Sequence, residues 1–350
     1  MAAADVTPRR TRPRIDLRSF VRLTELADYF IPFTIRAVAE LGVADHLAGG
    51  PRTVEDLAEA TGTHAPSLRR ALRALACKGV FTEQEDGRFG LTPMAELLRG
   101  DHPLSLRDAY HLMPDDVVAW ARLDHSLRTG EPAFDHVHGR SLWDWLADHP
   151  ADSVRFDRGM AAMTRPELRA VSMAYDWSGL GRVVDVGGGN GTFLAGLLTR
   201  HPEMAGVVFD LPHVVAAAGE VLSGAGVGDR CEVVPGSFFD AEAIPAGADA
   251  YVLKRIVYGW DDDGAERLLR CVAQAMGPES RILLLEPVAQ AADADGDGFG
   301  AILDVVMLAV DGGRARTTEE LEALFARAGL ELTRVVPTMM FPVVEGRRAG

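Results

Sequence analysis

"GRVVDVGGGNGTFLAGLLTRHP" (residues 181–202) runs from an apolar stretch through a cluster of glycines into a helical pattern. Such a run is a strand, a tight turn and a helix. The alternation continues downstream. "AGVVFDLPHVVAAAGEVL" (205–222) is a strand with an acidic end followed by a helix, and "CEVVPGSFFD" (231–240) supplies another strand. "ADAYVLKRIV" (248–257), the helix "AERLLRCVAQAM" (265–276) and the strand "RILLLEPV" (281–288) extend it. Strands alternating with helices predict an α/β fold with a mostly parallel, doubly wound sheet. Ligands of such sheets bind beyond the carboxyl ends of the strands.

The glycines say which ligand. They let a ligand approach the backbone, and the helix that follows presents free N–H groups. The dinucleotide fingerprint needs glycines at its first, third and sixth places. Counted from Gly187, the third place is Gly189 but the sixth is Thr192, so that match fails. The spacing D-x-G-x-G-x-G (Asp185, Gly187, Gly189, Gly191) fits S-adenosylmethionine, whose amino-acid end and sulfur lie against such a loop. Asp210 ends the second strand, 19 residues past Gly191, where a carboxylate suits ribose hydroxyls. An ordinary helix N-cap is the alternative for Asp210.

Upstream the chain is helical. "LADYFIPFTIRAVAELGVADHL" (26–47) has apolar residues at three-to-four spacing. A short helix (Val54 to Thr61), a turn and a second helix (Ala65 to Lys78) precede "VFTEQEDGRFGLT" (80–92), two short strands around an Asp-Gly turn. Two helices and a hairpin predict a winged helix-turn-helix. Arg69, Arg70, Arg73 and Lys78 lie on its second helix, which suits either a DNA-reading helix or a solvated face of a dimerisation domain. Residues 106–178 read as a further helical segment. Its Trp143, Trp145, Phe156, Met160 and Met163 are ordinarily core at helical spacing, and ahead of a cofactor domain they also suit the roof of a pocket.

Composition narrows the function classes. In 350 residues there are 36 Lys and Arg against 51 Asp and Glu, for a net charge of −15. That disfavours nucleic acid, whose non-specific binding runs on phosphate neutralisation, and anionic lipid surfaces. No apolar run reaches the roughly 20 residues of a membrane helix. Residues 1–14, basic and Pro-rich with no apolar region after them, predict a disordered leader. Cys77, Cys231 and Cys271 are odd in number and far apart, which points to a reducing cytoplasm. No metal-ligand spacing is present, and "DADGDG" (293–298) lacks the Glu of a calcium loop and reads as an acidic surface loop.

"VVDVGGGNGTFL", "HPEMAGVVFDLPHVV", "PGSFFD", "LKRIVYGWDDD" and "ILLLEPV" stand in order and at suitable spacing. Together they resemble the small-molecule O-methyltransferases that use S-adenosylmethionine, a group that includes plant phenolic (caffeate-type) and bacterial natural-product enzymes. "RTGEPAFDHVHGRSLWDWLADHP" and "FDRGMAAM" resemble that family's helical segment, and the resemblance covers roughly residues 20–345. It implies a C-terminal Rossmann-like class I methyltransferase domain (179–350), a helical linker and substrate cap (106–178), and an N-terminal, mainly helical winged-helix dimerisation domain (15–105) that forms a homodimer. It also implies roles. Asp185, Gly187, Gly189, Asp210 and Leu211 would bind the cofactor, Phe238 would pack on adenine, and Lys254 and Thr164 would reach the methionyl end. Ser237 stands where an aspartate usually meets the adenine amine. Phe156, Met160, Met163 and Met307 would line the acceptor pocket and Trp260 would wall it.

The catalytic position departs from that family's pattern. A histidine followed by aspartate and tryptophan, H-D-W, is usual where this chain has Tyr258-Gly259-Trp260. Glu286 matches the first of two acids that flank the histidine, and Ala315, in "DGGRART" (311–317), replaces the second. A phenol of pKa ~10 is a poor nucleophile at neutral pH, so a base helps. Three functions are compatible with this. The chain is an O-methyltransferase on a hydroxybenzoate or polyketide phenol, working by proximity, with Tyr258 orienting the acceptor, or acting as a base only if its own pKa is strongly lowered, and His111, His125, His136 or His138 as other titratable candidates. Alternatively the bound cofactor moves no methyl and the enzyme performs hydroxylation, decarboxylation or pericyclic chemistry. Third, the chain is a winged-helix regulator. The first is the leading expectation.

Overall fold

The computed structural model describes residues 16–110, 113–289 and 299–350. The expected leader (1–14), His111 and the acidic loop at 293–298 lie outside the described residues. Two compact units divide between Arg99 and Gly100.

The first unit holds α1 (Leu17–Leu26), α2 (Phe30–Glu40), α3 (Val54–Thr61), α4 (Ala65–Cys77), β1 (Phe81–Glu83), β2 (Phe89–Leu91) and the single turn α5 (Pro93–Glu96). The Thr53 hydroxyl accepts the Asp56 N–H to start α3, and Gly62 in the left-handed region ends it. β1 and β2 form the expected antiparallel hairpin, with Gly87 at φ +80° in its turn. Leu57, Leu68, Leu72, Leu75, Phe81 and Phe89 are buried between these elements. Three of the four basic residues named on this helix have acidic partners within the same unit: Arg69 with Glu55, Arg73 with Glu83, and Lys78, just past its end, with Glu25. No residue of α1 is buried. Leu17, Phe20, Leu23, Tyr29 and Phe30 each expose more than 60% of their surface. An apolar surface of this kind marks a place where another chain docks.

The second unit opens with α6 (Pro114–Trp120), α7 (Leu123–Thr129), α8 (Ala133–His138), α9 (Leu142–Asp148) and the long α10 (Pro150–Ala174), which contains Pro166. A seven-stranded sheet follows: β3 (Arg182–Val186), β4 (Ala205–Asp210), β5 (Cys231–Pro235), β6 (Ala250–Lys254), β7 (Arg281–Leu285), β8 (Leu330–Val336) and β9 (Val343–Arg348). Between them run α11 (Thr192–Arg200), α12 (Ala218–Gly224), α13 (Asp262–Ala275), α14 (Phe299–Val310) and α15 (Thr318–Arg327). The spatial order is β5-β4-β3-β6-β7-β9-β8. The first five strands are parallel, and β9 runs antiparallel to both of its neighbours. The strand side chains alternate between two buried faces. Val184, Val186, Phe209, Tyr251 and Leu253 pack in one layer, and Val183, Val208, Val252, Leu283 and Leu285 in the other. That is why the strands read as continuous apolar runs. The chain order reverses where β3 pairs β6, with Asp185 beside Val252. The crevice past the carboxyl ends at such a reversal is where ligands bind. No helix among the described residues is long and apolar enough to cross a membrane.

Candidate active site

β3 delivers its last residues into a loop whose glycines at 187, 189 and 191 all have positive φ, of +72°, +60° and +79°. A Cβ on Gly187 would collide with Ile256, whereas one on Gly189 would meet open space. Gly191 caps α11. The loop therefore turns its bare backbone outward at Gly189. Asp210, at the end of β4, holds it there, accepting the Gly189 N–H at 2.9 Å through one oxygen and the Leu211 N–H at 2.7 Å through the other. Burial raises the pKa of Asp210, and these backbone donors oppose that rise.

Asp185 lies beneath the loop, 1% exposed, and neither carboxylate oxygen has a partner. Burial pushes its pKa up to about 7, with the Lys254 charge pulling the other way. A buried carboxylate without donors is costly. A ligand with cationic or N–H groups would supply them, as the amino-acid end of S-adenosylmethionine does. The residues present thus fit that cofactor: Asp185, Gly189, Asp210 and Lys254 would hold it.

Lys254 ends β6. Its ammonium donates to the Thr164 hydroxyl at 3.0 Å and to Glu167 at 3.1 Å, both on α10. Arg255 follows, at φ +59° the one positive-φ non-glycine among the described residues. That conformation is strained for a side chain of its size. It directs the guanidinium to Glu167 at 3.3 Å and to the Tyr258 hydroxyl, which accepts from Nε and Nη2 at 3.3 Å each. Glu167, 3% exposed, thus answers two cations. The sequence reading missed Glu167. Its one clue was the adjacent cation pair at 254 and 255, which needs a buried acid.

The turn after β6 (Val257–Gly259) is fixed from below. Glu286, 1% exposed, accepts the Tyr258 backbone N–H at 3.1 Å. Burial pushes Glu286 up to about 7, against the lowering effect of that N–H and of Arg316. Glu286 therefore holds the backbone of position 258 rather than its side chain. Arg316 donates to the carbonyls of Val257 at 3.3 Å and Trp260 at 2.9 Å. Ala315 is buried, its N–H donated to Asp304 at 2.7 Å. Asp261 caps α13 by accepting the Gly264 N–H at 2.8 Å.

Phe238 meets Trp260 edge-on at 6.0 Å, and Phe239 meets the same indole at 4.7 Å. Trp260, assigned by resemblance to the acceptor wall, thus stands with the adenine candidate. Ser237 accepts the Phe239 N–H at 3.3 Å. Met160 and Met163 are half-buried on α10, and Met307 is buried on α14. Phe156 packs against Trp143 at 5.7 Å and beside the cluster of Phe134, Leu142, Leu146 and Val310. His125 stacks on His136 at 3.9 Å, and His138 bonds the Asp115 carbonyl at 3.2 Å.

Comparison with known proteins agrees with this fold. The model of the O-methyltransferase domain matches residues 120–331, and that of the O-methyltransferase dimerisation domain matches residues 24–101. The phenazine O-methyltransferase PhzM of Lysobacter antibioticus is 40% identical over 331 residues, covering 94% of this chain and 96% of that one. An O-methyltransferase from neocarzinostatin biosynthesis, solved with S-adenosylmethionine and 2-hydroxy-5-methyl naphthoic acid, superposes with a TM-score of 0.75 at 38% identity, covering 96% of this chain and all of that one. The aclacinomycin 10-hydroxylase RdmB of Streptomyces purpurascens is 35% identical over 321 residues, covering 89% of this chain and 84% of that one. With both domain models matched in order and the glycine loop, Asp210 and Lys254 in place around the strand ends, the chain belongs to the O-methyltransferase family, as a methyltransferase that carries the family's dimerisation domain.

Proposed function

We propose that this chain transfers the methyl group of S-adenosylmethionine to a phenolic hydroxyl of a small aromatic natural product. The carrying observation is the orphaned Asp185 carboxylate beneath the glycine loop, with Asp210 and Lys254 ranged around it. When bound, the cofactor supplies an electrophilic methyl on a sulfonium. The chain's own residues then hold and orient. Asp210 keeps the Gly189 N–H in place, Lys254 is set by Thr164 and Glu167, and Phe238 with Trp260 offers an aromatic edge for adenine. On the acceptor side, Phe156, Met160, Met163 and Met307 supply apolar surface. Much of the rate of such a displacement comes from holding the reactants in line. Phenazine and naphthoate acceptors in the relatives' names favour a fused aromatic phenol. We assign residues 106–178 to the acceptor cap and the first unit to a homodimer interface, and three free cysteines accord with a cytoplasmic protein.

A second reading keeps the cofactor but moves no methyl. It is favoured by Tyr258 in the usual histidine position and by a hydroxylase among the relatives. Incubation with methyl-labelled S-adenosylmethionine and a panel of hydroxynaphthoates, hydroxyphenazines and simple phenols separates the two. Label in the aromatic product with stoichiometric S-adenosylhomocysteine is expected. A changed acceptor with no label and no S-adenosylhomocysteine would sink the methyl-transfer reading.

A further inference from the structure

Asp311 follows α14 directly, one turn beyond Met307, whose carbonyl accepts its N–H at 3.0 Å. Its carboxylate faces the turn after β6. A β-carbon built on Gly259 would lie 3.3 Å from Oδ2. From the other side the Trp143 indole on α9 stands close enough to lower the pKa of the same carboxylate, and that indole packs edge-on against Phe156. Asp311 thus joins Met307, Phe156 and the catalytic turn, drawn from separate elements. It also remains partly open to solvent.

We propose that Asp311 is the general base that takes the proton of the acceptor hydroxyl. The proposal rests on the methyl-transfer reading above. It also accounts for Gly259. An aspartate at 259, as in H-D-W, would set a second negative charge against Asp311, whereas glycine leaves the carboxylate its room. The Tyr258 hydroxyl is already engaged by Arg255, so the acceptor's proton needs another receiver.

Among the described residues, the charged group that acts on Asp311 from a neighbouring element is Asp135 on α8. Burial, opposed by the Trp143 indole and helped by the Asp135 charge, pushes Asp311 up to about 6. A base in that range is ionised at neutral pH yet still accepts a proton. In the step, the acceptor O–H proton passes to the Asp311 carboxylate and an oxygen lone pair forms the bond to the methyl carbon. The carbon–sulfur bond breaks with its pair left on sulfur, and the Asp311 carboxyl afterwards returns its proton to solvent.

The test compares wild type with Asp311→Asn and Asp311→Glu, using 1-naphthol and a nitrophenol as acceptors. Wild-type kcat/KM should rise with pH through about 6. Asp311→Asn should lose about 10²- to 10⁴-fold in kcat with naphthol and lose that rising limb. The loss should shrink with the more acidic nitrophenol, and Asp311→Glu should recover part of it. Binding gives a readout apart from turnover. With S-adenosylhomocysteine present, calorimetry should show naphthol affinity weakening below pH 6 in wild type and flat in Asp311→Asn. S-adenosylhomocysteine affinity should be equal in both, showing an intact fold. Asp311→Asn matching wild type in rate and pH profile, or the two sharing one affinity profile, overturns the base role alone. A wild-type chain that methylates nothing in the panel overturns the methyl-transfer reading, and the base role with it.

Discussion

Glu286 carries the pH behaviour of the turn it supports. Its folded pKa of about 7 lies above the unfolded value near ~4.3. Between those values the folded chain keeps a proton that the unfolded chain releases, so stability falls as pH rises through that window. Asp185, also raised to about 7, acts in the same sense. Glu286→Gln keeps an acceptor for the Tyr258 N–H and removes one of the two ionisations. Urea midpoints at pH 5 and pH 8 should therefore fall less in the variant than in wild type. Equal falls would show that Glu286 stays ionised in the fold. The turn at position 258 was legible because a strand ends just before it. The partner of its hydroxyl was not, because Arg255 reaches it only through a left-handed backbone that no residue-type pattern announces.

On the proposed reading, the glycine loop and α10 serve the same ligand by different means. Gly187 is needed by the protein, since a Cβ there overlaps Ile256 at φ +72°. Gly189 is not needed for packing, since its Cβ would stand in open space, and on the proposed reading it serves the ligand. Gly187→Ala should destabilise the chain by about 1–3 kcal/mol. Gly189→Ala should cost less stability yet weaken S-adenosylhomocysteine binding about tenfold or more. Chemical denaturation and calorimetry on the two variants check this, and the reverse ranking of stabilities would refute it. On α10, Pro166 lies between Thr164 and Glu167, the two residues that Lys254 contacts. Its missing N–H removes a helix hydrogen bond at the level where the helix meets the charged cluster.

The whole chain is acidic, and its first unit presents apolar side chains that its own fold leaves uncovered. The dimerisation-domain match includes Tyr29 and Phe30 within residues 24–101. A second copy covering α1 and α2 accounts for that surface. The double variant Phe20→Asp with Leu23→Asp should shift sedimentation from dimer to monomer and lower the thermal midpoint. An unchanged dimer would place the interface elsewhere.

The order of strands and helices and the glycine loop were legible in the chain, because each rests on local backbone demands within a few residues, whereas the backbone donors that occupy both Asp210 oxygens were not. The hairpin around Gly87 was legible for the same reason. The assembly of Glu167, Lys254, Arg255 and Tyr258 was not, since it joins residues about 90 positions apart and depends on how α10 crosses the strand ends. Trp260 joining Phe238, and Asp311 filling the room left by Gly259, belong to the same class. Backbone geometry is a property of neighbours in sequence, whereas burial, charge compensation and space are properties of neighbours in three dimensions.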